Sequence, residues 1–167
     1  MSTNPESKRW GRTVLVMLGV GILILVPLVL VANHMLNAAN TRERITSNEA
    51  RAIDTIDLIA AAEQIHLDAY GQYATIPQLI DAKILNMKFD GDPPAFKGYA
   101  YAVRIAPRTE ARGPFFSVNA DPVRADGDDA TGGRRFYRDS EVAGIRYRED
   151  RPASAADTLL PRVVNPY

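Results

Sequence analysis

From Thr13 to Ala32 the chain reads TVLVMLGVGILILVPLVLVA, and no charged residue occurs between Arg12 and Arg42. A helix of about 20 residues rises about 30 Å, the depth of a bilayer's hydrocarbon layer, so the stretch predicts one transmembrane helix over 13–32. Lys8, Arg9 and Arg12 lie on its N-terminal side, and Trp10 falls at interface depth. Basic flanks are retained in the cytoplasm, so residues 1–12 are expected inside and the rest outside. A cleaved signal peptide is the rival reading, but its apolar region spans only about 7–15 residues and ends at a small-x-small site. Here the run is longer and Asn33, His34 and Met35 come after it, so the expected segment is an uncleaved anchor in the lipid bilayer. Gly19, Gly21 and Pro27 interrupt it. They are either the ordinary Gly and Pro content of membrane helices, or a groove for a neighbouring helix beside a proline bend.

Outward from the anchor, the helical pattern continues over 33–70 as a stalk. Ala52, Ile53, Ile56, Ile59, Ala60, Leu67 and Tyr70 recur at three- and four-residue steps, with Asp54, Asp57, Glu63 and Gln64 between them. No proline interrupts 33–76, and Gly71 reads as the helix stop. An apolar stripe on one face must be covered, and residues 71–150 supply a sheet. Gly98–Ile105 alternates, with Tyr99, Tyr101, Val103 and Ile105 on one face, and the polar loop PRTEARGP joins it to a second strand over Phe115–Ala120. The stretch DPVRADGDDATGG is a loop by composition. RRFYRD and VAGIRYRE then form a last hairpin or a bent final strand. Residues 151–167, with three prolines, read as an extended tail that is either disordered or laid across a partner. The expected fold is α+β: a long N-terminal helix, transmembrane then amphipathic, packed on a small antiparallel sheet.

Composition narrows the function. The 167 residues carry 20 basic and 20 acidic side chains, a balance that gives no reason to expect nucleic acid as a partner. Cysteine is absent, which excludes disulfides, thiol nucleophiles, thiolate metal sites and covalent haem attachment. The two histidines, His34 and His66, are far apart; His66 and Glu63 form an i, i+3 pair that supplies two ligands where a metal needs three or four. This pair reads as a partly exposed helix face, and Asp54 with Asp57 as a solvated one. No G-x-S-x-G, H-E-x-x-H, P-loop or dinucleotide glycine pattern occurs. Asp126, Asp128 and Asp129, with Asp121 upstream, are weak calcium candidates, since no bidentate Glu stands at a suitable distance. Arg134, Arg135, Arg138, Arg146, Arg148 and Arg151 cluster near Phe136, Tyr137 and Tyr147, but Asp139, Glu141, Glu149 and Asp150 offset the charge that phosphate binding needs. No catalytic residue and no cofactor are expected.

Two stretches resemble the type IV pilin and pseudopilin family. SNEARAIDTIDLIAAAEQIHLDAYGQYATIPQLI is similar to the end of that family's long helix together with the segment just beyond it, and GGRRFYRDSEVAGIRY to the ending of many pilin-like bacterial proteins. GILILVP echoes the apolar half of a pilin helix. The resemblance implies a long helix on an antiparallel sheet, and in some major pseudopilins a C-terminal calcium loop. It also implies two marks that this chain lacks. Arg12, not Phe, comes after Gly11, and no acidic residue falls within 13–32, where the family carries the Glu that pairs with a neighbour's amino group. The expectation is therefore a membrane-anchored accessory subunit of a larger complex in a bacterial inner membrane, its partners being other membrane subunits and lipid. The alternative is a pilin or pseudopilin of a pilus or secretion filament.

Overall fold

The computed structural model describes residues 5–161, with side chains from Leu25 onward. Helix α1 spans Pro5–Tyr70 and contains Pro27; a six-residue helix α2 spans Ile76–Asp81. Among the described residues six strands follow: β1 (Ala95–Phe96), β2 (Tyr99–Ala106), β3 (Phe115–Pro122), β4 (Arg135–Asp139), β5 (Arg146–Arg148) and β6 (Thr158–Leu159). The chain divides into two compact units, one ending at Asn40 and the other beginning at Thr41.

In the first unit the described side chains are those of the helix from Leu25 to Asn40, and all of them are exposed. Among the described residues no helix is long and apolar enough to cross a membrane. The side chains of 13–24, including Gly19 and Gly21 of the expected span, lie outside the described residues, as do residues 1–4 altogether.

The second unit takes in the end of α1 and everything after it. Its sheet is an antiparallel meander in sequence order, β1 to β6. The long β2–β3 hairpin sets the register, pairing Tyr99 with Pro122 through to Ala106 with Phe115. Side chains alternate across a strand, so Tyr99 and Tyr101 of β2, Phe116, Val118 and Ala120 of β3, and Phe136 of β4 share the inner face. Ala52, Ile56, Ile59, Ala60 and Ala62 of α1 close over them, joined by Tyr73, Ala74, Ile76, Leu79 and Leu85 from α2 and its flanks. Toward the far end of β2, Ile105 is exposed. The stripe on α1 ends before Tyr70, which is also exposed.

Helix α1 stops at Gly71, whose φ of +74° few other residues adopt, with its amide on the Leu67 carbonyl at 2.8 Å. Thr75 and Gln78 then form a capping box around the start of α2, and Pro77 occupies a first-turn position where no amide is needed. Three elements go beyond the sequence reading: α2 is about one and a half turns, and β1 and β6 are two residues each. The chain from Pro152 to Pro161 does not trail away. Ala153 is buried, Asn119 Nδ2 of β3 donates to its carbonyl at 2.7 Å, and β6 pairs with β5. The remaining tail residues, 162–167, lie outside the described ones.

Candidate functional site

The segment of α1 from Thr41 to Glu49 is bonded, residue after residue, to the loop between β3 and β4. Thr41 Oγ1 donates to the Asp128 carbonyl at 3.0 Å, and Arg44 Nη2 to the same oxygen at 2.9 Å. Asn48 Nδ2 donates to the Thr131 carbonyl at 2.9 Å. Glu49, 6% exposed, completes the seam. Its Oε1 accepts the amides of Gly133 and Arg134, both at 3.0 Å, and its Oε2 accepts Arg134 Nε at 2.7 Å and Nη2 at 2.6 Å. A buried carboxylate is stable only when hydrogen-bonded and paired, and here both oxygens are engaged.

Two glycines let the backbones approach. A Cβ on Gly98, whose φ is +83°, would stand 2.9 Å from Asn48 Nδ2 and from Thr131 Cβ. A Cβ on Gly132 would stand 2.0 Å from the Tyr99 hydroxyl, which itself donates to the Arg134 carbonyl at 2.8 Å. Burial, and next the charge of Glu49, push the Tyr99 phenol above its ordinary range. This seam fixes the sheet to the helix.

Further along α1, Glu63 and His66 are both buried, not half-exposed. Ile56, Ile59, Glu63 and His66 are spaced 3, 4 and 3 residues apart, so the two polar residues fall on the stripe that faces the core. Glu63 Oε2 accepts the Ala74 amide at 2.8 Å, while Oε1 has no partner. Burial pushes this carboxyl up to about 7, against the opposing pull of the Ala74 bond and of His66. His66 Nδ1 lies 2.8 Å from the Gln72 carbonyl and its ring packs on Tyr70 at 4.5 Å.

The arginine cluster is spoken for. Arg134 pairs with Glu49, Arg138 with Asp57 of α1, Arg135 approaches Asp121 at 3.9 Å, and Arg148 pairs with Asp150 at 2.6 Å. Asp157, which sequence reasoning did not single out, is buried and takes both Arg151 nitrogens, at 3.0 and 2.7 Å, with the Ser154 amide at 2.9 Å and hydroxyl at 2.8 Å. Those bonds hold its carboxyl down to about 2. Arg134 and Arg138 reach acids far away in sequence, and Arg148 pairs with its neighbour Asp150, whereas the carboxylates of Asp139, Glu141 and Glu149 form no ion pair with these arginines. Asp139 instead caps the turn after β4, accepting the Glu141 and Val142 amides at 2.9 and 2.7 Å.

Of the calcium candidates, Asp126, Asp128 and Asp129 all sit exposed on the loop. Asp129 pairs with Arg124 at 3.0 Å, and Asp128 is engaged through its carbonyl. Among the described residues no group of three or more His, Asp or Glu side chains converges as a metal ion requires. His34 is exposed on α1, distant in sequence from His66. Asp54 and Asp57, both exposed, border a groove of about 650 Å³ between α1 and the chain around Gly144–Ile145 and Leu159–Pro161. Comparison with family models, curated proteins and solved structures gives no match to this chain.

Proposed function

We propose that the protein is a non-catalytic, single-pass accessory subunit of a larger membrane complex, photosynthetic, respiratory or secretory. In this reading the helix over 13–32 lies in a bacterial inner membrane, residues 1–12 are cytoplasmic, and the sheet-bearing unit is periplasmic or extracellular. The observation that carries it is the exposure of the apolar side chains before Asn40. Leu25, Leu28, Leu30, Val31, Met35 and Leu36 are each 59–68% exposed, an arrangement that water opposes and that lipid or neighbouring helices relieve. Beyond them the chain spends its polar groups on holding itself together. Glu49, Asp157 and the arginines are satisfied internally, which suits a rigid bracing domain rather than a reaction centre.

A pilin or pseudopilin in a filament is the second reading. It is favoured by the succession of a long helix and an antiparallel meander, together with the two pilin-like stretches of sequence. Arg12 after Gly11, and the lack of a carboxylate within 13–32, weigh against leader removal and filament pairing. Purification of the tagged full chain in mild detergent separates the two. The accessory-subunit reading expects co-migration with other membrane subunits at fixed stoichiometry, and an intact mass that begins at Met1 or Ser2. A mature chain beginning at Arg12 and recovered in filaments contradicts it.

A further inference from the structure

The end of α1 is clasped to the connection after it by two side chains one turn apart. Glu63 holds the Ala74 amide and His66 the Gln72 carbonyl, each at 2.8 Å. A carbonyl only accepts, so His66 Nδ1 carries the proton of that bond. Between these points runs Gly71–Thr75, the link between α1 and α2, leaving the helix at Gly71 and ending in the Thr75 cap. Tyr73 and Ala74 of this link are buried, with the Tyr73 ring edge-on to Phe116 of β3 at 4.8 Å. The clasp therefore seats one edge of the core.

One half of it is incomplete. Glu63 is 0% exposed, yet Oε1 meets no donor. A neutral carboxyl tolerates that position far better than an anion, because an unpaired buried charge has lost its hydration with nothing in exchange. Fully buried, the carboxyl reaches water only when the packing around it opens, and its one bond is to the link, at Ala74. We propose that Glu63 and His66 form a proton-operated latch, closed over the 71–75 link while Glu63 is protonated and loosened when Glu63 ionises.

The surroundings leave Glu63 as the group whose charge changes the clasp near neutral pH. Burial pushes Glu63 up to about 7. Of the titratable groups on the elements around it, Tyr101 of β2 is pushed up to about 12 by burial, and Tyr99 is raised as well. Tyr73 is the phenol of the link itself, and Tyr70 stacks on His66. Across the groove beside Gln64 and Tyr73 stand Arg138, Asp139 and Glu141. Arg138 is tied to Asp57, Glu141 to Arg112, and Asp139 to backbone amides. On α1, Asp68 accepts from Gln64 at 2.8 Å.

The test is hydrogen exchange of the Ala74 amide in the full-length protein in detergent micelles, corrected for intrinsic exchange, in wild type and Glu63→Gln. With the carboxyl at about 7 closed and about 4.5 when open to water, linkage gives a loss of protection of about tenfold between pH 6 and pH 8.5. Glu63→Gln, which has nothing to ionise, is expected to show no such fall. An equal fall in both proteins, or no fall in wild type, overturns the latch. Should the variant not fold, the carbon-13 titration of the Glu63 carboxyl in wild type decides alone: a midpoint near 7 supports the latch, and one near 4.5 overturns it.

Discussion

Glu49 joins α1 to two backbone amides and the Arg134 guanidinium, and truncating it tests the seam quantitatively. Glu49→Ala strips acceptors from the Gly133 and Arg134 amides and from the Arg134 guanidinium. Each amide left without a partner at a part-buried site costs about 1 kcal/mol. The Arg134 side chain is 35% exposed and recovers much of its loss from water, so its share is held to about 1 kcal/mol. The expected destabilisation is about 3 kcal/mol, a shift in Tm of about 10 °C for a unit of this size. Glu49→Gln keeps one acceptor oxygen for the two amides but sets an NH2 donor against the Arg134 guanidinium, so its expected cost is about 1.5 kcal/mol, about half that of the Ala variant. Thermal unfolding of the full chain in detergent, monitored by near-ultraviolet circular dichroism, measures both. A loss below about 0.5 kcal/mol for Glu49→Ala, the range of an ordinary surface change, would refute the seam as a structural tie, as would a Gln variant no better than the Ala variant.

The same geometry carries other expected outcomes. Gly132→Ala places a methyl 2.0 Å from the Tyr99 hydroxyl, so the buried ring must shift and stability is expected to fall by about 2 kcal/mol in the same melt. Asp157 is held down to about 2 from an ordinary 3.8, so its stabilising effect is complete above about 3.8 and is lost as pH falls toward 2. Asp157→Asn is therefore expected to expose the chain near Ala153 to limited proteolysis at neutral pH, and wild type to match it only in strong acid. Glu63 has the opposite sign. Its raised carboxyl makes the fold most stable below about 4.5, and that stability is lost as pH rises toward 7. Over that range the Glu63→Gln melt is expected to decline less than the wild-type melt.

Legibility in the sequence tracked the strength of its periodic signals. The β2–β3 hairpin was readable because Tyr99–Ile105 alternates cleanly and the polar loop between the strands is long. The core stripe of α1 was readable from Ala52, Ile56 and Ile59 for the same reason. The shortest elements were not: α2 is stabilised by a two-residue capping box, β1 by its pairing with Tyr99 and Ala100, and β6 by its pairing with Arg146 and Tyr147. Glu63 reads as partly exposed on its charge, although the spacing from Ile59 places it inward, where the structure buries it. The seam was out of reach altogether. Glu49 and Arg134 are 85 residues apart, and Asp57 and Arg138 are 81 apart, and composition gives no clue to which distant charges meet. The closeness required at Gly98 and Gly132 is likewise a tertiary fact that only the folded chain reveals.

A retained anchor with the second unit on the far side of the membrane is the core of the proposed function, and the lack of native cysteine offers a direct measurement. Single cysteines are introduced at Ser2→Cys and, on the exposed loop, at Asp126→Cys, and treated with a membrane-impermeant maleimide that shifts mobility on a gel. The expected result is that Asp126→Cys is modified in intact spheroplasts, and that Ser2→Cys is modified only after detergent lysis, in a chain of full length. A Ser2→Cys protein that never shifts after lysis, because its N-terminus has been removed, or one that shifts in intact spheroplasts, would contradict the retained anchor.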